Sequence, residues 1–270
     1  AAPDGSSSQI FFRLLAIGEP FSLATVFAFA LWVMWKSKEA RTLTSGILSS
    51  ESRQTGARWG LVALVAVTVA IAVVLSYGLM GAFPFSMDEW AVRFQARLFL
   101  KGQLVGSPET PIPFLREVAR PVFVYPAGDG TDWVSGYLPS YSVLLMPFEA
   151  IGYPWLLNVL CNTGSVLTVA HVGRRMWGAS DSRPMIAAVA LAAQFIAAAA
   201  TTYSMPAHLF VNLLWLAALL GEGRIWLWAG PLAFVALTLH QPVPHALFAA
   251  PFLLRFLVER QFARLGWILV

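Results

Sequence analysis

Two adjacent carboxylates, Asp88 and Glu89, stand shortly after a long apolar segment of this chain. They lie in the sequence SMDEW at residues 86–90, and the apolar segment ends near Gly81. A carboxylate is costly in the hydrocarbon of a membrane and is readily tolerated just outside it. Carboxylates can take part in acid–base chemistry. The substrate that the acidic pair can reach therefore depends on which side of the membrane the apolar segment ends.

The acidic pair also has a structural interpretation. Ser86 and Glu89 fit a capping box, in which the Ser86 hydroxyl caps a helix and Glu89 reaches back to the cap. Asp88 would then only complement the positive end of the helix dipole. Because a cap needs only one acid, this interpretation suits Glu89 better than Asp88, and the sequence leaves both interpretations open.

Residues 88 to about 101 have the pattern of a short interfacial helix that is too short to cross a bilayer. Charged residues recur at every fourth position and form one ridge of this helix: Glu89, Arg93, Arg97 and Lys101. The cations can hold a phosphate group, or they can contact lipid headgroups. A second interfacial or re-entrant helix is predicted from Tyr137 to Ile151.

Composition predicts the class of protein that must position these groups. The chain is 58% hydrophobic and 12% charged, and its mean hydropathy is +0.67. Several apolar runs approach the roughly 20 residues that a membrane-spanning helix needs. The single cysteine, Cys161, excludes a disulfide within the chain. The net charge of +4 comes without basic runs interleaved with aromatic residues, so no nucleic-acid partner is predicted.

The apolar segments predict an all-α polytopic membrane protein with about seven or eight transmembrane helices. Their approximate bounds are 21–35, 61–79, 155–172, 185–200, 209–220, 225–239, 246–258 and a last one from 265. Residues 1–57 are predicted to contain the first span and a basic cytoplasmic linker. Residues 58–270 are predicted to form the main transmembrane domain, with an outer loop at 82–139. Residues 1–9 lack the basic start of a cleavable signal peptide.

Basic residues predict how the chain is oriented in the membrane. The linker 36–58, the turn 174–183 and the stretch 255–264 are net basic, and the turn around Arg224 carries an arginine, which places all four in the cytoplasm. The loop 82–139 and the turns 201–206 and 240–245 then lie on the opposite side. We therefore predict a multi-pass protein of the bacterial inner membrane whose large loop faces the periplasm.

This orientation gathers the ionisable residues at one surface. His208, His240 and His245 lie at the outer ends of their predicted helices, on the same side as Asp88 and Glu89. The spacing of these histidines matches no standard metal motif. An isolated interfacial histidine commonly serves as an amphipathic anchor, so binding and anchoring both stay open.

The order of these elements resembles that of the GT-C glycosyltransferases, in particular bacterial relatives of the protein O-mannosyltransferases and the lipid A aminoarabinose transferases. The resemblance covers most of residues 60–258. The matching blocks are FSMDEW (85–90) with QAR (95–97), GYLPSY (136–141), SMPAHL (204–209) with NLLW (212–215), and LHQP (239–242) with His245 and the pair at 251–252.

The resemblance implies an inverting enzyme that moves a sugar from a polyprenyl-phosphate donor to an acceptor on the outer face. It implies Asp88 as the general base and Glu89 as a metal or acceptor ligand. A cation would stabilise the leaving phosphate. The residues implied in substrate binding are Arg93, Arg97, Lys101, Tyr137, His208, His240, Gln241 and His245. The requirement for a divalent metal ion and the identity of the acceptor stay open.

Two other functions compete with this interpretation. The first alternative is a non-catalytic membrane subunit that keeps a GT-C-like scaffold and packs against other subunits of a larger complex. The second is a transporter, which would need polar side chains at mid-membrane depth. The transporter is ranked last because few polar residues are predicted at mid-membrane depth. They are Asn158, Asn162, Gln194 and Asn212.

Overall fold

The computed structural model describes residues 51–107 and 122–269, apart from positions 80, 82, 85 and 129. The predicted first span at 21–35 and the linker up to residue 50 lie outside the described residues. The described chain is mostly helical, as its apolar pattern predicts. The helices are α1 (Glu51–Val74), α2 (Met87–Leu100), α3 (Pro139–Ala150), α4 (Leu156–Asp181), α5 (Arg183–Ala190), α6 (Ala193–Ala199), α7 (Met205–Leu219), α8 (Ala229–Thr238), α9 (Val243–Val258) and α10 (Phe262–Leu269).

Two of the described helices are long and apolar enough to cross a membrane. The first is Trp59–Gly78 in α1 and its π-helical continuation Leu75–Leu79, and the second is Leu156–Met176 in α4. The environments of these two helices differ. In the most apolar part of α1, 17% of the residues are buried in the protein, compared with 67% in α4. Helix α4 is therefore central and α1 peripheral.

The remaining apolar helices are shorter. Helix α7 has 15 residues, which span about 22 Å against the roughly 30 Å of a hydrocarbon core. The predicted apolar segment 185–200 is divided between α5 and α6, because the chain is extended at Ala192 (φ −62°, ψ 123°). The number of seven or eight spans therefore stays a prediction.

The core lies between α4 and α7 and continues into α8, α9 and α10. Trp215 of α7 is completely buried among residues of α4, α8 and α9, including Val172, Ala233 and Phe252. Helices α4 and α7 approach closely at Gly164, where an added Cβ would lie 2.4 Å from the Phe210 ring. Small residues permit such close helix contacts.

The described parts of the predicted outer loop contain regular secondary structure. Helix α2 begins after Ser86, whose hydroxyl accepts a hydrogen bond from the Glu89 N–H at 3.2 Å, so the predicted N-cap is confirmed. Strands β1 (Val124–Ala127) and β2 (Asp132–Ser135) form an antiparallel hairpin that the sequence interpretation did not include. The Gln95 amide holds this hairpin against α2, because its oxygen accepts from the Ser135 N–H at 2.9 Å.

Candidate functional site

Asp88 lies in the first turn of α2 and forms a hydrogen bond with a residue of the opposite end of the loop. The Tyr137 hydroxyl donates to Oδ1 of Asp88. Burial and this hydrogen bond raise the pKa of Tyr137 well above its usual value. The phenol therefore stays protonated at neutral pH and remains a donor to the carboxylate.

His240 follows α8 and stacks on the ring of Tyr137. The two ring centroids are 3.7 Å apart and the planes are inclined by 25°. Backbone hydrogen bonds hold this contact in place: the Leu138 N–H donates to the His240 carbonyl at 3.2 Å, and the Tyr141 N–H donates to the Leu239 carbonyl at 2.8 Å. The segment before α3 is thereby attached to the end of α8.

Burial keeps His240 neutral at physiological pH, since it lowers the pKa of the imidazole to about 4. Its Nδ1 is buried and has no hydrogen-bond partner among the described residues. Both ring nitrogens of the buried His208 likewise have no hydrogen-bond partner among the described residues. His208 lies within electrostatic range of both His240 and His245. His208 thus connects the three outer histidines electrostatically, and His240 contacts Tyr137, the partner of Asp88.

His245 differs from the other two because it has a partner. Its Nδ1 lies 2.6 Å from Oδ1 of Asn212, and the ring meets Trp215 edge-on at 5.3 Å between centroids. An amide oxygen accepts only, so Nδ1 carries the proton and the lone pair is on Nε2. This contact joins the middle of α7 to the first turn of α9.

Glu89, the neighbour of Asp88, points into the protein. Its side chain is 2% exposed, and Oε1 accepts from the backbone N–H of Thr202 at 2.7 Å and from the Thr202 hydroxyl at 3.2 Å. The carboxylate thereby connects α2 to the turn that precedes α7. This environment favours a structural role for Glu89 over direct contact with a substrate. The role is to hold the Thr202 turn, which differs from the predicted return of Glu89 to the Ser86 cap.

The Thr202 turn is held by two buried residues that the sequence interpretation did not select for this purpose. The Tyr141 hydroxyl donates to the Thr202 carbonyl at 2.9 Å. The Asn158 amide donates to the Thr201 carbonyl at 2.8 Å and to the Tyr203 carbonyl at 2.7 Å. We call Glu89, Thr202, Tyr141 and Asn158 the buried polar network. It joins α2, α3, α4 and the turn before α7.

The predicted phosphate-binding arginines lie on the other side of α2 and are engaged by an acid that the sequence interpretation missed. Arg93 Nε is 3.0 Å from Oε2 of Glu149, and Arg97 Nε is 2.6 Å from Oε1 of the same carboxylate. The Glu149 side chain is 5% exposed, whereas that of Arg97 is 57% exposed. Two guanidinium groups share one carboxylate, which leaves a surplus positive charge at this surface.

The other predicted site residues, Lys101 and Gln241, are exposed, with Gln241 directly after His240. Among the described residues, no group of three or more His, Cys, Asp or Glu side chains is placed to hold a metal ion. The unpartnered nitrogens of His208 and His240 are the side-chain atoms here that most resemble metal ligands. The arrangement as a whole combines one carboxylate, one neutral phenol and neutral imidazoles, which are groups suited to proton transfer and hydrogen bonding.

Comparison with known proteins adds no relative to this description. No family model, curated protein or solved structure matches the chain. The resemblance to GT-C enzymes therefore stays an expectation from the sequence blocks alone.

Proposed function

We propose that the chain is a multi-pass membrane glycosyltransferase of the GT-C type, which moves a sugar from a polyprenyl-phosphate donor to an acceptor. In this proposal it lies in a bacterial inner membrane with seven or eight spans, and the loop at 82–139 faces the periplasm. Membrane lipids surround it, and the donor's prenyl tail stays in the lipid while its headgroup reaches the site.

One observation carries the proposal: groups from distant parts of the chain meet beside Asp88. Tyr137 contacts the carboxylate, His240 stacks on Tyr137, and His208 lies near His240. These residues precede α3, follow α8 and open α7, respectively. Ionisable groups that converge at the ends of several helices favour a functional site, since a chain with few charges has little structural need for them there.

The chemistry follows from the groups present. The Asp88 carboxylate would accept the proton of an acceptor hydroxyl as the oxygen attacks the anomeric carbon. The bond from that carbon to the phosphate oxygen breaks, and the lipid phosphate leaves with the electron pair. In this proposal Arg93 and Arg97, which share one carboxylate and so carry a surplus positive charge, stabilise this anion. Tyr137 would donate a hydrogen bond that keeps Asp88 oriented.

The test is sugar transfer by the purified chain in lipid nanodiscs, with a radiolabelled polyprenyl-phosphate sugar and a crude acceptor fraction. Asp88→Asn is compared with Asp132→Asn, a carboxylate in the hairpin that bonds Ser107 at 2.8 Å. We expect transfer to fall about 100-fold or more in the first variant and to persist in the second. Equal transfer by wild type and Asp88→Asn would remove Asp88 as the base.

A second candidate is the non-catalytic subunit, and the engaged state of Glu89, Arg93 and Arg97 favours it. A scaffold needs these charges paired, and each has a partner inside the protein. This function predicts no transfer by the wild-type chain alone, together with stable co-purification of other membrane proteins in mild detergent. Transfer by the isolated chain would contradict it.

A further inference from the structure

A column of aromatic rings leads from the candidate site to the surface of the hairpin region. His240 stacks on Tyr137, and the Phe123 ring stacks on Tyr137 with 5.4 Å between centroids and an angle of 30° between planes. Phe123 is the outer member and is 37% exposed, while Tyr125 beside it is 56% exposed. The exposed rings of Phe123 and Tyr125 are therefore two residues apart in the chain. Phe123 stacks on Tyr137, which is the hydrogen-bond partner of Asp88.

A glycine permits this arrangement. A Cβ at Gly136 would lie 2.3 Å from the Tyr125 ring, so only glycine lets this ring lie against the backbone directly before Tyr137. The Gly136 N–H donates to the Phe123 carbonyl at 2.9 Å, which keeps the two ring-bearing segments in register. A backbone hydrogen bond thus positions the two segments that carry the rings.

Among the described residues, one carboxylate is in contact with this column of rings. Asp88 is the carboxylate that Tyr137 contacts, and the hydroxyls of Tyr125 and Tyr203 lie within electrostatic range of the Tyr137 hydroxyl. The cations of α2 are bound to Glu149 on another side of the helix. Within the described part of the chain, a bound molecule would therefore meet ring faces, phenol hydroxyls and the Asp88 carboxylate.

We infer that Phe123 and Tyr125, together with Asp88, form a subsite for an uncharged sugar ring. The C–H groups on one face of such a ring are slightly positive and suit the negative face of an aromatic ring. Its hydroxyls at the rim can donate to Asp88 and exchange hydrogen bonds with the phenols. A sugar that carries a carboxylate meets repulsion from Asp88. The inference rests on the proposed function, since it names the class of sugar that this site takes.

The experiment measures binding of free sugars and needs no lipid donor. The chain is placed in phospholipid nanodiscs without sugar-based detergent, and saturation-transfer NMR follows a panel of neutral methyl pyranosides and their uronic acid counterparts. We expect saturable binding of at least one neutral pyranoside and at least tenfold weaker binding of its uronic acid.

Variants locate the binding surface. Phe123→Leu keeps an apolar side chain but removes the ring, and we expect at least tenfold weaker binding. Phe234→Leu, on a residue of α8 that is 65% exposed, is the matched control and should bind as wild type does. Tyr125→Phe, which keeps the ring, should bind better than Gly136→Ala, which displaces it.

The outcomes separate this inference from the proposed function. Absence of saturable binding for every neutral pyranoside, or equal binding by Phe123→Leu and wild type, overturns the subsite. Sugar binding that depends on Phe123 in a chain without transfer activity supports the subsite and counts against the glycosyltransferase. Transfer whose KM does not change in Phe123→Leu supports the enzyme and counts against the subsite.

Discussion

Asp88 and Glu89 are neighbours in the chain, yet they belong to two different regions of the molecule. Asp88 contacts Tyr137 in a partly accessible cluster that includes His240. Glu89 is 2% exposed and belongs to the buried polar network with Thr202. Consecutive residues of a helix point about 100° apart, so one faces the rim of the loop and the other faces the core.

The two carboxylates differ in how completely the protein satisfies their hydrogen bonds. A buried carboxylate needs strong hydrogen bonds to be tolerated, and Glu89 receives them from a backbone N–H and a hydroxyl. Asp88 is engaged by a single phenol in the described structure, and a substrate hydroxyl could replace that donor. We therefore expect changes at the first residue to affect activity and changes around the second to affect stability.

The largest effect is expected from the pair itself. Asp88→Asn should lower transfer about 100-fold or more, whereas thermal stability changes little, because the amide oxygen still accepts from Tyr137. Glu89→Gln should keep transfer within about threefold and lower the melting temperature, because a charge-assisted hydrogen bond to Thr202 becomes a neutral one. Transfer rates and melting curves of the two variants check this. The opposite pattern would exchange the roles of the two residues.

Removal of one member of the buried polar network should come next. Asn158→Leu removes the amide that donates to the Thr201 and Tyr203 carbonyls, so we expect a loss of about 2–4 kcal/mol in the free energy of unfolding. Gln241→Ala, an exposed polar residue, should change it by less than about 0.5 kcal/mol. Denaturant unfolding in detergent measures both. Equal effects would mean that the network does not stabilise the turn before α7.

Glu149 connects the two regions, since it holds α2 against α3 through Arg93 and Arg97. Glu149→Gln should destabilise the protein by about 1–3 kcal/mol, because the mostly buried Arg93 loses its charged partner. Glu259→Gln is the control. The Arg255 and Glu259 side chains are 25% and 30% exposed, so their ion pair should contribute less than about 1 kcal/mol. Melting temperatures compare the variants, and a larger effect at Glu259 would contradict the importance of the Glu149 pair.

The smallest effect is a pH dependence of the Asp88 region. His240 has a pKa of about 4 in the folded protein and about 6.5 when unfolded. The unfolded state therefore binds the proton first as the pH falls, and stability should decline between about pH 6.5 and 4. His240→Phe keeps a ring against Tyr137 and removes this titration, so its melting temperature should depend less on pH in that range. If the melting temperatures of wild type and His240→Phe changed with pH in the same way, His240 would not contribute to the pH dependence of stability.

Local signals identified several parts of the fold correctly. The apolar run 61–79 predicted the helix of α1, and the charge repeat predicted α2 to within a residue at each end. The Ser86 cap was visible because its partner lies three positions away. The hairpin at 124–135 was missed, since its strands are only four residues long and one contains a proline.

The sequence by itself determined the helical, strongly apolar character of the chain and the positions of its acidic pair and histidines, because composition and periodicity are local properties. Only the tertiary structure decided which acid faces the core and which partner each charge has. Glu149 lies 56 positions from Arg93, and Thr202 lies 113 positions from Glu89. Contacts over such distances depend on how the helices pack, and that packing is a property of the whole chain rather than of any segment.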